Sequence, residues 1–332
     1  MGILANFSNS ERFKKKVKLA VRIVKPFSIS PPTSVFFLFH TVEETQTPWT
    51  HGHRYITPFP IFKKQIAFIK EHFEVVPTSV LVQKLQDGDL ERSSAAIHFD
   101  DGFSSYADLA LPFLREKNIS STVFLINSVV DGGVPIRNKI AFCINMGEEK
   151  HLKSLIQSCT SEDIDSPVCL AEMQTTQLLA WIKGNITSEM EYIINEVFQS
   201  CIKRHNETSP FMDERVVRKL NDDSYVEIGS HTVNHPMLSM LDEREQRAEI
   251  IGGHIKLEEY LGRKLKYFAY PHGGKAHFDE TSRSIIKESN RLTSFSSYGG
   301  LNYKLDNTDV KRITLSDHTA LNIKFSVLKH LV

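Results

Sequence analysis

The sequence has no excess of charge of one sign, no long hydrophobic run and only four cysteines in 332 residues. Lysine plus arginine and aspartate plus glutamate each number 40, so no overall field attracts nucleic acid, and no nucleic-acid partner is predicted. No apolar run is long enough to span a bilayer. The cysteines include no Cys-x-x-Cys pair, which excludes a zinc knuckle and favours a reducing compartment. They are Cys143, Cys159, Cys169 and Cys201.

Residues 1–30 form a basic segment ahead of the remaining residues, 31–332. The segment lacks the basic-then-apolar order of a secretory signal, so a cytoplasmic location is expected. Its lysines and arginines are interspersed with apolar residues between positions 12 and 25, which is typical of a basic amphipathic helix. Such a helix would allow peripheral contact with a membrane, although a solvated leading helix is the simpler interpretation.

Short apolar runs alternate with helical patterns along residues 31–332, which indicates an α/β fold with a parallel sheet or barrel. The stretch from about 138 to 212 interrupts this alternation, contains all four cysteines, and is predicted to be a helical insertion. A helix is also predicted over residues 106–117, with Pro112 leaving its middle uncertain. The predicted strands are residues 34–39, 95–99, 121–126, 225–228, 267–270, 292–295 and 310–315.

Two adjacent carboxylates, Asp100 and Asp101, follow the run 95–99 and precede Gly102. Most such pairs are turns or helix caps. Two carboxylates this close raise each other's pKa unless a cation lies between them. Binding of a metal by one and acceptance of a proton by the other would remove this conflict.

Two histidines, His231 and His235, follow the run 225–228 and would share one face if the segment were helical. Thr232 stands where the helix of a zinc metalloprotease needs a Glu, so that class is disfavoured. Histidines four apart are more often structural than ligands, but their position after a strand favours a metal site. One Asp and two His can hold a divalent metal with a position left for water, which predicts a metal-dependent hydrolase.

A third stretch, residues 268–274, reads Phe-Ala-Tyr-Pro-His-Gly-Gly and predicts a tight loop after a strand. Such a loop can direct a backbone N–H at a developing oxyanion, and a plain turn is the alternative. In this order the three stretches resemble the polysaccharide deacetylase family, also called the NodB-homology or carbohydrate esterase 4 group. Its Thr-Phe-Asp-Asp-Gly motif aligns with residues 98–102 and its His-Ser/Thr-x-x-His motif with residues 231–235.

The resemblance covers roughly residues 35–315 without the insertion, and it implies a distorted (β/α) barrel of about seven parallel strands. It implies that Asp100 is the catalytic base and that Asp101, His231 and His235 bind a divalent metal, usually zinc. The loop at residues 270–273 is similar to the one in which a backbone amide helps to hold the oxyanion.

Two positions depart from the family pattern. His98 replaces the usual Thr and is expected to add a hydrogen-bonding group near Asp100. Ala269 stands where many members have an Arg that orients the catalytic Asp. Members related to poly-N-acetylglucosamine deacetylases also read Ala-Tyr-Pro-x-Gly, so the resemblance indicates that subgroup.

The general acid has no clear counterpart, because the family's late Leu-x-His motif is not matched. His318 is one candidate, with Asp317 or Asp309 as a partner, and a surface-loop histidine is the alternative interpretation. His272 is a second candidate. His40, after the run 34–39, is expected to line the pocket.

The resemblance implies a hydrolase that removes an N-acyl group, most simply acetyl, from an amino sugar. Because no export signal is evident, the expected substrate is a small, nucleotide-linked or lipid-linked glycan precursor. Two alternatives stay open. One is a non-catalytic carbohydrate-binding relative, and the other is a deformylase or O-acetyl esterase that uses the same site.

Overall fold

The computed structural model describes residues 30–50, 55–160, 169–316 and 320–330. Nearly all of the basic segment 1–30 lies outside the described residues, as do His318 and its possible partner Asp317. The membrane contact and the first acid candidate therefore stay predictions.

Seven parallel strands close into a barrel. Their order is β1-β10-β9-β8-β7-β6-β5, and β5 pairs back with β1 from Ser34↔Ser94 to Phe39↔Phe99. The short β4 joins the first residues of β5, and β2 pairs with β3 in a separate two-stranded sheet. The prediction of a distorted barrel with about seven parallel strands is confirmed. The strands are β1 (Ser34–Phe39), β2 (Thr41–Glu43), β3 (Ile56–Pro58), β4 (Glu74–Val75), β5 (Ser94–Phe99), β6 (Ser121–Leu125), β7 (Val226–Ser230), β8 (Tyr267–Ala269), β9 (Thr293–Ser296) and β10 (Val310–Thr314).

Helices surround the barrel, and none of those described is long and apolar enough to cross a membrane. They are α1 (Phe59–His72), α2 (Thr78–Asp87), α3 (Leu111–Glu116), α4 (Asn127–Val130), α5 (Ile136–Cys143), α6 (Glu149–Ser158), α7 (Thr175–Ile182), α8 (Ser188–His205), α9 (Glu214–Asn221), α10 (Glu243–Arg247), α11 (Gly253–Leu261), α12 (Glu280–Ser289) and α13 (Ala320–Leu328). Short π-helical segments precede α3, α6 and α11, at Tyr106–Ala110, Ile144–Glu148 and Ala248–Gly252.

The strands β1, β5 and β6 are buried on both faces, which is why most of their residues are apolar. On β1, Val35, Phe37 and Phe39 pack with the helices, whereas Phe36 belongs to the cluster inside the barrel. The rings of Phe36 and Phe295 lie 5.2 Å apart there. A filled interior of this kind makes the barrel a packed core, so its site must lie at one end of the strands.

The predicted helix over residues 106–117 contains a change of helix type. It starts as the π-helical segment Tyr106–Ala110 and continues as α3. Pro112 lies in the first turn of α3, where its missing N–H is tolerated. The proline therefore marks the point at which the helix changes type without ending it.

The connection from β6 to β7 contains α4 to α9 and no strand among its described residues. It has a core of its own, in which Phe142 and Phe198 are buried. Trp49, from the segment before β3, stacks on Phe142 with ring centroids 4.1 Å apart. The helical character predicted for this stretch is therefore observed, while the domain limits at 30/31 and 138–212 stay predictions.

Candidate metal centre and active site

The two adjacent carboxylates lie at the C-terminal end of β5, where α/β barrels place their active sites. Asp100 and Asp101 are both buried. Asp101 has a φ of +75° and Gly102 a φ of +90°, so the chain turns sharply as it leaves the strand. A Cβ at position 102 would lie 3.2 Å from Leu125, so glycine also suits this position sterically.

His231 and His235 lie in a loop after β7 and not on a helix. Thr232 and His235 have φ values of +65° and +62°, and the Thr232 hydroxyl accepts a hydrogen bond from the His235 N–H at 3.0 Å. The two imidazole rings consequently converge, with centroids 4.8 Å apart. A tight turn thus brings together side chains that a helix would have placed on one face.

Glu249, in the π-helical segment before α11, holds this histidine loop. Its carboxylate accepts the N–H groups of Val233 (2.8 Å) and Asn234 (2.9 Å), and the Asn234 side-chain amide at 2.9 Å. At Gly253 the helix packs so closely on the loop that a Cβ would lie 3.1 Å from Val233. The sequence shows no pattern that links Glu249 to the histidines, and it was not predicted.

Three ligand atoms converge in the predicted combination. Asp101 Oδ1 lies 3.5 Å from His231 Nε2 and 3.4 Å from His235 Nε2. All candidate ligand atoms of the three residues lie within 4.8 Å of one another. The Nδ1–H of His231 donates to the Ala269 carbonyl at 2.7 Å, which directs its Nε2 into the site.

These residues fit a divalent cation. Asp101 Oδ1 is buried and has no hydrogen-bond partner among the described residues. Binding of a cation would satisfy this oxygen. Burial opposes the ionisation of Asp101, but Arg137, His231 and His235 together hold its pKa well below the usual value. Burial lowers the pKa of His235, which favours the neutral imidazole that binds metals.

Asp100 is held by Arg312 of β10, a residue that sequence reasoning missed. Nη1 and Nη2 of Arg312 donate to the two oxygens of Asp100, each at 2.8 Å, and Nε donates to the Ser296 carbonyl at 2.9 Å. An arginine thus orients the carboxylate although Ala269 occupies the family position for it. Its only sequence signal was the presence of two charged residues, Lys311 and Arg312, inside the predicted strand 310–315.

The structure corrects one sequence-based hypothesis about a neighbouring residue and leaves a second untested. His98 lies inside the barrel, but its Nε2 pairs with the Thr78 hydroxyl at 2.8 Å and not with Asp100. Asp309, a possible partner for His318, forms an ion pair with Arg283 at 3.0 Å and accepts a hydrogen bond from Tyr298. The expectation for His98 is therefore wrong, whereas the pairing of Asp309 with His318 stays a prediction, because His318 lies outside the described residues.

Arg137, at the start of α5, is a second cation at the site and was not predicted. Its Nη2 donates to Oδ2 of Asp101, the oxygen that does not face the histidines. Its guanidinium lies over the Tyr55 ring, 4.7 Å from the centroid. Oδ2 of Asp101 therefore binds a cationic side chain. Oδ1 faces the two histidines and has no hydrogen-bond partner among the described residues.

Two further histidines lie at the site. His40 follows β1 directly, and the Asp100 N–H bonds the carbonyl of the preceding Phe39 at 3.1 Å. His40 interacts electrostatically with both aspartates, and its Nδ1 is buried without a partner among the described residues. His272 has a φ of +60° and lies beside His235, with ring centroids 4.5 Å apart.

A family model described as polysaccharide deacetylase matches residues 169–291. This span contains the histidine motif and the loop at 270–273, but neither aspartate nor Arg312. The match supports deacetylase activity on a carbohydrate. Among curated proteins, none matches this chain.

Several solved structures share the fold. The Streptococcus pyogenes deacetylase PplD, in complex with acetate, is 15% identical, with a TM-score of 0.55 over 90% of this chain and 99% of that one. IcaB from Ammonifex degensii is 16% identical, with a TM-score of 0.57 over 88% and 96%. A de-N-acetylase from Aggregatibacter actinomycetemcomitans is 14% identical, with a TM-score of 0.54 over 88% and 99%. At these identities the likeness shows the fold alone. With the family model, it confirms the predicted resemblance of this chain to the polysaccharide deacetylase family.

Proposed function

We propose that the protein is a metal-dependent hydrolase that removes an N-acyl group, most simply acetyl, from an amino sugar. One observation carries this proposal: the unpartnered Oδ1 of Asp101 faces two imidazole nitrogens beside a second carboxylate, Asp100, that an arginine holds in place. Asp101 and the two imidazoles can bind a cation, and Asp100 can accept a proton.

Asp101, His231 and His235 would hold a divalent cation, for which zinc is the expected ion. Bound there, it would supply the Lewis acidity that makes water a good nucleophile at neutral pH and stabilises charge on a carbonyl oxygen. Arg137 orients Asp101, and the Ala269 carbonyl orients His231, each through a hydrogen bond to an atom that does not face the proposed cation.

Asp100 is proposed as the base. Its Oδ2 lies 3.8 Å from Nε2 of His231, so the carboxylate borders the ligand group. Each oxygen accepts one hydrogen bond from Arg312 and keeps a lone pair for the proton of a water molecule. Arg312 fixes the side chain, so the base is oriented before the substrate binds.

His40 is proposed as the proton donor to the leaving amine, because it follows the strand that neighbours β5 and interacts with both aspartates. His272 lies against His235, and its backbone N–H donates to no described residue. That amide is the proposed oxyanion donor, because the N–H groups of Gly273 and Gly274 are already occupied.

The test is release of acetate from N-acetylated amino sugars by zinc-loaded protein, with metal content measured in parallel. We expect Asp100→Asn to retain metal and to lose at least about 100-fold in kcat. His231→Ala is expected to lose metal and activity together. Full activity of Asp100→Asn would exclude Asp100 as the base, and full metal content of His231→Ala would exclude His231 as a metal ligand.

The proton donor is tested by comparing His40→Gln with His272→Gln, because both changes remove an imidazole from the same site. We expect His40→Gln to lower kcat about 100-fold and to abolish one limb of its pH profile, at unchanged metal content. A larger loss and the missing limb in His272→Gln would transfer the role to His272.

The acyl group and the sugar define the remaining alternatives. A deformylase or an O-acetyl esterase would need the same side chains, so N-formyl and O-acetyl sugars belong in the same screen. A non-catalytic binding relative would release no acid from any of them. The cytoplasmic location and a nucleotide-linked or lipid-linked substrate remain part of the proposal.

A further inference from the structure

The helical connection between β6 and β7 contributes two cationic side chains to the site. Arg137 opens α5, and Lys183 follows α7. The Arg137 side chain is 15% exposed, and it contacts Asp101 through Nη2. Its Nε is buried and makes no hydrogen bond, and Nη1 donates to no described residue. The guanidinium therefore keeps donors free after it has bound the metal-ligand carboxylate.

Lys183 is half-buried and follows α7, which packs against α5, the helix that begins beside Arg137. Its ammonium interacts electrostatically with Arg137 and Asp101. The same ammonium interacts electrostatically with His272 and His277. Within the described part of the chain it has no ion pair or hydrogen bond. Burial lowers the pKa of Lys183 to about 8, which leaves it largely protonated at neutral pH.

The charges of the site do not cancel. Asp100 is neutralised by Arg312 and Asp101 by Arg137, so Lys183 is left without a counter-ion among the described residues. A divalent cation on the ligand group would increase the positive excess. Partial burial of an unpaired ammonium is unfavourable, and an anionic ligand would relieve it.

A neutral N-acyl sugar carries no charge that balances this excess, whereas an oxyanion supplies the charge and accepts stronger hydrogen bonds from an ammonium and a guanidinium. We propose that Lys183 and Arg137 form an anion subsite that selects amino sugars carrying a phosphate or carboxylate group next to the acylated nitrogen. This subsite rests on the proposed function for its substrate, but its charge preference can be measured without catalysis.

Binding is measured on chelator-treated protein, so that the ligand cannot bind through a metal. N-acetylglucosamine 1-phosphate, an N-acetylhexosaminuronic acid and neutral N-acetylglucosamine are titrated separately. We expect at least one anionic sugar to bind about tenfold more tightly than the neutral one, and the better of the two to identify the anion. Lys183→Gln is expected to remove this preference.

Lys203→Gln is the matched control, because it makes the same change at an exposed lysine on α8. It should keep the wild-type preference. Equal binding of all three sugars to the wild type, or an undiminished preference in Lys183→Gln, would overturn the subsite. Arg137→Lys is a second variant, which retains the charge but loses the planar fork, and it should reduce the preference only in part.

The zinc-loaded enzyme provides a second measurement, the ratio of kcat/KM for the anionic and the neutral sugar. We expect Lys183→Gln to lower this ratio about tenfold and Lys203→Gln to leave it unchanged. If no acyl group is released from any sugar, the proposed function fails while the binding titration still decides the subsite. If acyl release occurs without a charge preference, only the subsite fails.

Discussion

Arg312 illustrates how one residue can connect distant parts of this chain. It is fully buried, and its three nitrogens donate to Asp100 and to the Ser296 carbonyl. Asp100 and Arg312 are 212 positions apart. Removing one partner of a buried pair leaves the other charge uncompensated, and this cost generally exceeds the net stabilisation from the intact pair.

We therefore expect Arg312→Met to lower the free energy of unfolding by about 3 kcal/mol or more, and to abolish acyl release. Arg312→Lys keeps the charge without the bidentate geometry, so its loss of stability should be smaller. Urea unfolding of the two variants measures the losses of stability, and release of acetate measures the loss of activity.

Arg247→Met is the control for Arg312, because Arg247 forms exposed ion pairs with Glu243 and Glu288. Surface pairs contribute at most about 1 kcal/mol, so this variant should unfold almost as the wild type does. If Arg312→Met were no less stable than Arg247→Met, the buried pair would not be important for the fold.

At the scale of elements, the histidine loop depends on a helix that contributes no ligand. Glu249 bonds two backbone N–H groups of the loop while Thr232 and His235 hold positive φ values. Backbone of this kind is unfavourable for residues other than glycine and persists when neighbours stabilise it. The π-helical segment thus positions the two imidazoles.

Glu249→Ala is expected to weaken zinc affinity about 10- to 100-fold, because the loop loses its outer support while all three ligands remain. Competition with a chromophoric chelator measures this change. Glu243→Ala, on the preceding helix, removes an exposed carboxylate that is paired with Arg247 and should leave the affinity unchanged. Equal affinities of the two variants would show that the loop holds its shape without Glu249.

At the scale of the whole molecule, several histidines are buried in the barrel or at its end. Burial holds the pKa of His98, His235 and His272 well below 6.5 and also lowers that of His40. The unfolded chain therefore binds more protons than the folded one once the pH falls below about 6.5. Stability must be complete above that pH and must decline on acidification.

We expect the free energy of unfolding of chelator-treated protein to fall between pH 7.5 and 5.5. Each such histidine contributes at most about 1.4 kcal/mol per pH unit below 6.5. Glu43 acts in the opposite direction, because burial raises its pKa from the usual value of 4.5 and its protonation therefore favours the folded state. His98→Gln should reduce the pH dependence, because the Thr78 contact needs no titrating group. Stability that is constant or rises on acidification would contradict this account.

Much of the architecture was predictable because it is encoded locally. Parallel strands buried on both faces are rich in apolar and β-branched residues, so the seven barrel strands were found to within two residues at their ends. The carboxylates and histidines were found for a related reason, because a strand end exposes the residues that follow it and their spacing is short.

What the sequence determined alone was therefore the barrel, the helical connection and the groups Asp100-Asp101 and His231/His235. The tertiary structure alone decided which cations meet these carboxylates, because Arg312 and Arg137 approach from elements that are distant in the chain. It also decided how the histidines converge, since positive φ values at Thr232 and His235 depend on support from Glu249. Such contacts leave no periodicity and no short spacing in the sequence, because they arise only when the barrel closes.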